Sequence, residues 1–129
     1  VPDIEMKDSS GSIVKLSNIN AENTLIIFYA SWCPHCKDML PQIYELYKNQ
    51  KDKKFEVIAV SIDTSKTDWL NFIKTNKLDW LNVSDLKGWE GKSAVDYFIY
   101  ATPTMFLVDD NRKLIRVPKS IDDITSLQK

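Results

Sequence analysis

The order strand, cysteine pair, helix, strand in the first half most constrains this chain. Thr24 to Tyr29 is a continuous run of strand formers that overlaps the longest wholly apolar stretch, Leu25 to Ala30. Such a run marks a strand buried on both faces. Cys33-Pro34-His35-Cys36 follows almost at once. Met39, Leu40, Ile43, Leu46 and Tyr47 then recur at helical spacing to about Lys48. Pro41 lies inside that stretch and is expected to kink it, because proline lacks an N–H and crowds the preceding turn. Lys48 to Lys54 reads as a charged connector and Phe55 to Ile62 as a second buried strand. A crossover of this length joins parallel neighbours, so the chain is an α/β protein built on a βαβ unit.

The flanking segments complete that unit. Pro2 to Ile19 alternates loosely around Asp8-Ser9-Ser10-Gly11-Ser12 and predicts a hairpin at a sheet edge. Ser65 to Asn76 predicts an amphipathic helix with Trp69, Phe72 and Ile73 inward and Thr64 or Ser65 as cap. Trp80 to Val83 predicts a short strand, Ser84 to Gly91 a loop, and Lys92 to Phe98 a short helix. Thr104 to Val108 and Lys113 to Val117 predict paired strands about the turn Asp109-Asp110-Asn111. Ser120 caps a last helix with Asp123 at its third position and Ile121, Ile124 and Leu127 inward. The 129 residues are expected to form one domain, residues 1–129, and a monomer.

Composition removes several functions. Seventeen basic residues are offset by eighteen acidic ones, and no basic stripe stands out. Nucleic-acid binding driven by phosphate neutralisation is therefore not expected. No apolar run approaches the roughly 20 residues of a membrane span, so contact with a membrane would need a tether outside this sequence. Two cysteines and one histidine, all between positions 33 and 36, are too few for a closed zinc site or a four-cysteine iron–sulfur cluster. No metal and no cofactor are expected. Thiol–disulfide chemistry remains.

Cys33 stands just after a buried strand, where a helix begins. Unpaired N–H groups and a partial positive charge at a helix start favour thiolate over thiol. Cys33 is therefore the expected nucleophile. Cys36, about one helical turn on and deeper, can resolve the mixed disulfide that Cys33 forms with a substrate. Pro34 suits the first helical turn, where its missing N–H costs nothing. His35 places a protonatable ring beside Cys33 that can favour its thiolate. Asp63 ends a parallel strand on the same rim and is a candidate proton acceptor for Cys36, its alternative role being a turn or capping residue.

Phe28-Tyr29-Ala30-Ser31-Trp32-Cys33-Pro34-His35-Cys36-Lys37 resembles the active-site strand and helix of the thioredoxin superfamily, with Pro41 at the helix-kink position. Ala101-Thr102-Pro103-Thr104 resembles the family's cis-proline loop. The front hairpin, Val57 to Asp63 and Val83 to Trp89 resemble more closely the TlpA/ResA-like branch. The resemblance implies a thioredoxin fold with a central mixed β-sheet flanked by helices and an added N-terminal β-hairpin. It implies a protein thiol-disulfide oxidoreductase whose partners are protein thiols and disulfides and a further redox protein. Trp32, Thr102 and Pro103 would bind substrate, with the Thr102–Pro103 bond cis. No signal-peptide pattern is visible from Val1 onward, and the branch implies an extracytoplasmic setting, the bacterial periplasm or the outer face of a membrane. Ile27 and Met39 stand where family members carry an acidic residue near the second cysteine. Pro-His between the cysteines resembles the dipeptide of strongly oxidising disulfide oxidases. Two other readings are a non-enzymatic binding module of the same fold and a thiol peroxidase. The peroxidase motif needs Pro and Thr or Ser where this chain has Ile26 and Ala30. Trp69, Trp80 and Trp89 are expected in core or loop packing.

Overall fold

The chain builds its core on the run that the sequence makes most apolar. The computed structural model describes residues 1–50 and 54–125. A hairpin of β1 (Glu5–Lys7) and β2 (Ile13–Lys15) comes first. Then follow β3 (Asn23–Tyr29), α1 (Pro34–Gln50), β4 (Phe55–Ser61), α2 (Lys66–Asn76), β5 (Leu81–Ser84), α3 (Lys92–Asp96), β6 (Thr104–Asp109), β7 (Leu114–Arg116) and α4 (Ile121–Thr125). The main sheet has the order β5-β4-β3-β6-β7. β3 is parallel to β4, and β4 to β5; β6 runs antiparallel to both β3 and β7. This is the mixed, helix-flanked sheet of a thioredoxin-like fold.

β3 is the central strand, and every residue from Thr24 to Tyr29 is buried. Its side chains alternate between the two faces. Phe28 meets the rings of Tyr97 and Phe106. Tyr29 meets Phe72, and its hydroxyl accepts from Trp69 Nε1 at 3.1 Å. Trp80 packs edge-on against Tyr44 and Tyr47 of α1. The hairpin forms its own two-stranded sheet and joins the edge strand β5 through a single bridge between Asp8 and Val83.

Local chemistry sets the element ends. Ser65 Oγ accepts from Asp68 N at the start of α2, and Lys77, at φ 54°, closes its end. α1 runs unbroken through Pro41. α3 ends at Asp96, two residues before the expected end, because Phe98 takes a left-handed φ of 55° and Ile99 N turns back to Ala94 O. β4 stops at Ser61, one residue before the expected end, and β7 stops at Arg116. The segment expected as loop contains a short 3₁₀ turn at Gly88–Glu90. Ser120 Oγ accepts from Asp123 N at α4, and Ile124 is fully buried. Leu127 of that expected helix face and residues 51–53 of the expected connector lie outside the described residues.

Candidate active site

Tyr29 ends β3 and Pro34 starts α1, so residues 30–33 form the turn that delivers the first cysteine to the helix start. Cys33 N donates to Ala30 O at 3.2 Å, and Lys37 N to Cys33 O at 3.1 Å, which ties that turn into the helix. Cys33 is 5% exposed and Cys36 fully buried, the expected order. Both are free thiols.

The two sulfurs sit in different surroundings. Cys36 N lies 3.2 Å from Cys33 Sγ and donates to it. Partial burial of Cys33 pushes its pKa up, but hydrogen bonds from Cys36, the Thr102 side chain and the backbone N–H groups of Cys36 and His35 outweigh this, and the thiol lies below its ordinary value. Cys36 is pushed up to about 12, first by burial and then by its hydrogen bond to Cys33. The pair is thus one thiol that ionises more readily than usual beside one that holds its proton.

The opposing wall is the loop before β6. The Thr102–Pro103 peptide is cis, as expected. Cys33 Sγ lies 3.5 Å from Thr102 O and donates to it as a thiol. Pro34 occupies the first helical position. The His35 ring is exposed and lines a small recess of about 140 Å³ with Met39, Pro103 and Met105. Its bond to Cys33 comes from the backbone. Trp32 is 53% exposed and meets the half-exposed Trp89 ring at 6.2 Å. A wider groove of about 510 Å³ runs from Ser31, Trp32 and Lys37 along α2, past Asp68 and Phe72. Of the other two tryptophans, Trp69 and Trp80 are buried, as expected.

Asp63 is 1% exposed just past β4. Its carboxyl oxygens accept from Ser31 and Ser61. Neither serine stood out in the sequence. The paired carboxyl ends of β3 and β4, with Ser31 two residues before Cys33, were the available signal. Among the described residues, no group of three or more His, Cys, Asp or Glu gathers as a metal site. No helix among them is long and apolar enough to cross a membrane.

Three comparisons bear on this site. The AhpC/TSA family model matches residues 1–117. The thiol-disulfide oxidoreductase ResA of Bacillus subtilis is 27% identical over 117 residues, covering 90% of this chain and 63% of that protein. Its namesake in Bacillus thuringiensis subsp. konkukian is 30% identical over 115 residues, covering 89% and 65%. The chain therefore spans just under two-thirds of the length of these curated relatives. Among solved structures, the thioredoxin domain of a thiol-disulfide oxidoreductase from Bacteroides vulgatus superposes with a TM-score of 0.87 at 28% identity. That match covers 98% of this chain and 90% of that one.

Proposed function

This chain belongs to the AhpC/TSA family, and from that premise we propose that it exchanges a Cys33–Cys36 dithiol or disulfide with protein substrates. In the reducing direction, Cys33 thiolate attacks one sulfur of a substrate disulfide. The substrate S–S bond breaks, its other sulfur leaves as thiolate and takes a proton, and a mixed disulfide joins Cys33 to the substrate. Cys36 then gives up its proton and attacks Cys33 Sγ. The second substrate sulfur leaves and takes up that proton, and the Cys33–Cys36 disulfide forms. The substrate gains two electrons and the pair loses two. The reverse sequence oxidises a substrate dithiol.

The observation that carries this reading is the split between the cysteines: Cys33 lowered and slightly exposed, Cys36 raised and buried. A structural disulfide needs no such asymmetry. Trp32, Thr102 and Pro103 border Cys33 and would receive the substrate chain. The AhpC/TSA match alone does not separate disulfide exchange from peroxide reduction. Exchange is favoured by the names of the relatives and by Ile26 and Ala30 at the peroxidase-motif positions. Resemblance to the ResA-like branch supports an extracytoplasmic setting, with one thioredoxin-like domain spanning residues 1–129.

The experiment is insulin reduction with dithiothreitol as electron source. Wild type should accelerate precipitation, C33S should not, and C36S should accumulate a mixed disulfide with insulin. A wild-type rate equal to that of dithiothreitol alone would leave the binding-module reading in its place.

A further inference from the structure

The parallel ladder of β3 and β4 reaches its last regular rung where Ile62 N donates to Tyr29 O at 2.8 Å. In a continued ladder Ser31 N would next donate to the Ile62 carbonyl. Here it donates to the Asp63 side chain, at 3.1 Å from Oδ1 and 3.2 Å from Oδ2. The Ile62 carbonyl instead faces Gly88, 3.6 Å from where a Cβ on that glycine would stand. Ser31 Oγ adds a 2.6 Å bond to Asp63 Oδ1. A side chain thus replaces the backbone acceptor at the point where the chain leaves the sheet for Cys33.

Asp63 is itself braced. Ser61 Oγ donates to Oδ2 at 2.5 Å and accepts from Asp63 N at 2.9 Å. The Ser61 carbonyl accepts from Ser84 Oγ of β5 at 2.9 Å. The anchor therefore extends across two strands to the sheet edge. A buried carboxyl group stripped of such donors is costly, so full satisfaction keeps it in one place.

We infer that Asp63 is a positioning residue for disulfide exchange: by holding Ser31 it fixes the turn that presents Cys33 to the Thr102 loop and to its N–H donors. This assigns Asp63 a task other than taking the Cys36 proton, and it rests on Cys33 being the attacking thiol. Cys33 Sγ depends on contacts near 3.2 and 3.5 Å. Such bonds weaken steeply as geometry departs from these values. A turn released at Ser31 would misplace the sulfur and remove part of its activation.

The test compares Asp63→Ala with Asp63→Asn in reduced protein. Cys33 alkylation by iodoacetamide is followed across pH, with the modified cysteine located by mass spectrometry and folding checked by circular dichroism. Tyr29 on β3 and Cys36 on α1, the ionisable groups that face Asp63 and Cys33, remain in place. D63A should move the Cys33 alkylation profile about one unit to higher pH, an about tenfold loss of rate on its rising limb. D63N keeps an oxygen for Ser31 and should return to within about threefold of wild type, since a threefold change is half a unit. If Asp63 acted by charge, both variants would speed alkylation alike, which overturns the proposal, as does an unchanged D63A. Should D63A fail to fold, Ser31→Ala removes only the 2.6 Å bond; a two- to threefold slowing supports the proposal and an unchanged rate overturns it. Failure of the underlying reading would appear already in wild type, as alkylation at Cys36 instead of Cys33.

Discussion

Thr102→Val and His35→Ala differ in whether the sequence or the structure identifies the donor to Cys33. Thr102 is half-buried, and its side chain is among the groups that lower the Cys33 pKa. Valine keeps its shape, its carbonyl and its place before Pro103, and removes the hydroxyl alone. A hydrogen bond to a charged group is worth about 1.5–3 kcal/mol, and the low end applies at a partly solvated site. That is about one pKa unit at 1.36 kcal/mol each. His35 contributes its backbone N–H, which alanine retains. Its exposed ring can add at most a surface charge interaction of about 0.2–1 kcal/mol. H35A should therefore raise the Cys33 pKa by less than about 0.7 unit.

The sign carries into the redox couple. A donor to the thiolate stabilises the reduced protein and leaves the uncharged disulfide untouched, so its loss makes the potential more negative. At about 30 mV per 1.4 kcal/mol, T102V should move the couple by about −30 mV and H35A by no more than about −20 mV. The full shift appears only at a pH above the Cys33 pKa, where the reduced form is thiolate. The assay is equilibration with glutathione, with thiolate absorbance titrated in parallel. The Pro-His dipeptide without the rest of the oxidase architecture suggests a wild-type value of about −200 mV, between the oxidase and thioredoxin limits of about −120 and −270 mV. An H35A shift larger than that of T102V would refute the reasoning, because the imidazole would then be the principal donor.

Three further outcomes follow from the same geometry. With Cys36 near 12 and buried, reduced protein at neutral pH should take up one iodoacetamide, on Cys33, and C33S should take up almost none over the same time. Tyr29→Phe leaves the buried Trp69 Nε1 without its acceptor and should cost about 1–3 kcal/mol in denaturant unfolding; an unchanged midpoint and slope would show that the indole finds another partner. Trp89→Ala removes the ring that meets Trp32 and should raise KM for insulin about two- to tenfold with kcat unchanged, the range of an aromatic pair of about 0.5–1.5 kcal/mol; a fall in kcat alone would place Trp89 outside the binding face.

The legible parts of this protein are those in which one segment determines its own state. Leu25 to Ala30 could only be an inner strand, and Phe55 to Ser61 lies beside it in register, with Leu25 opposite Val57. The spacing of Cys33 and Cys36 predicted which sulfur would be deeper. Contacts made by chain crossing were not legible. Trp89 reads as loop packing because nothing nearby shows that its turn seats the ring against Trp32, 57 positions earlier in the chain. α3 ends before its predicted limit because Phe98, a bulky residue, takes a left-handed conformation that sequence patterns reserve for glycine or asparagine.

Asp63 shows why site residues are harder to read than strands. From sequence it is one acid near a rim, readable either as a proton acceptor or as a turn or capping residue. Its role depends on where the partner strand stops. β3 and β4 pair Tyr29 with Ser61, and Ser31 turns away just beyond that pair. With the Ile62 carbonyl out of the ladder, Ser31 takes its acceptor from the side chain two residues past Ser61, and that is Asp63. A one-residue shift in register would reverse the faces of the strand and offer Ser31 a different side chain. The register is held by the apolar contacts of Leu25, Ile26 and Ile27 in the core, all fully buried. The same residues that make the strand legible thus select Asp63 as the anchor of the cysteine turn.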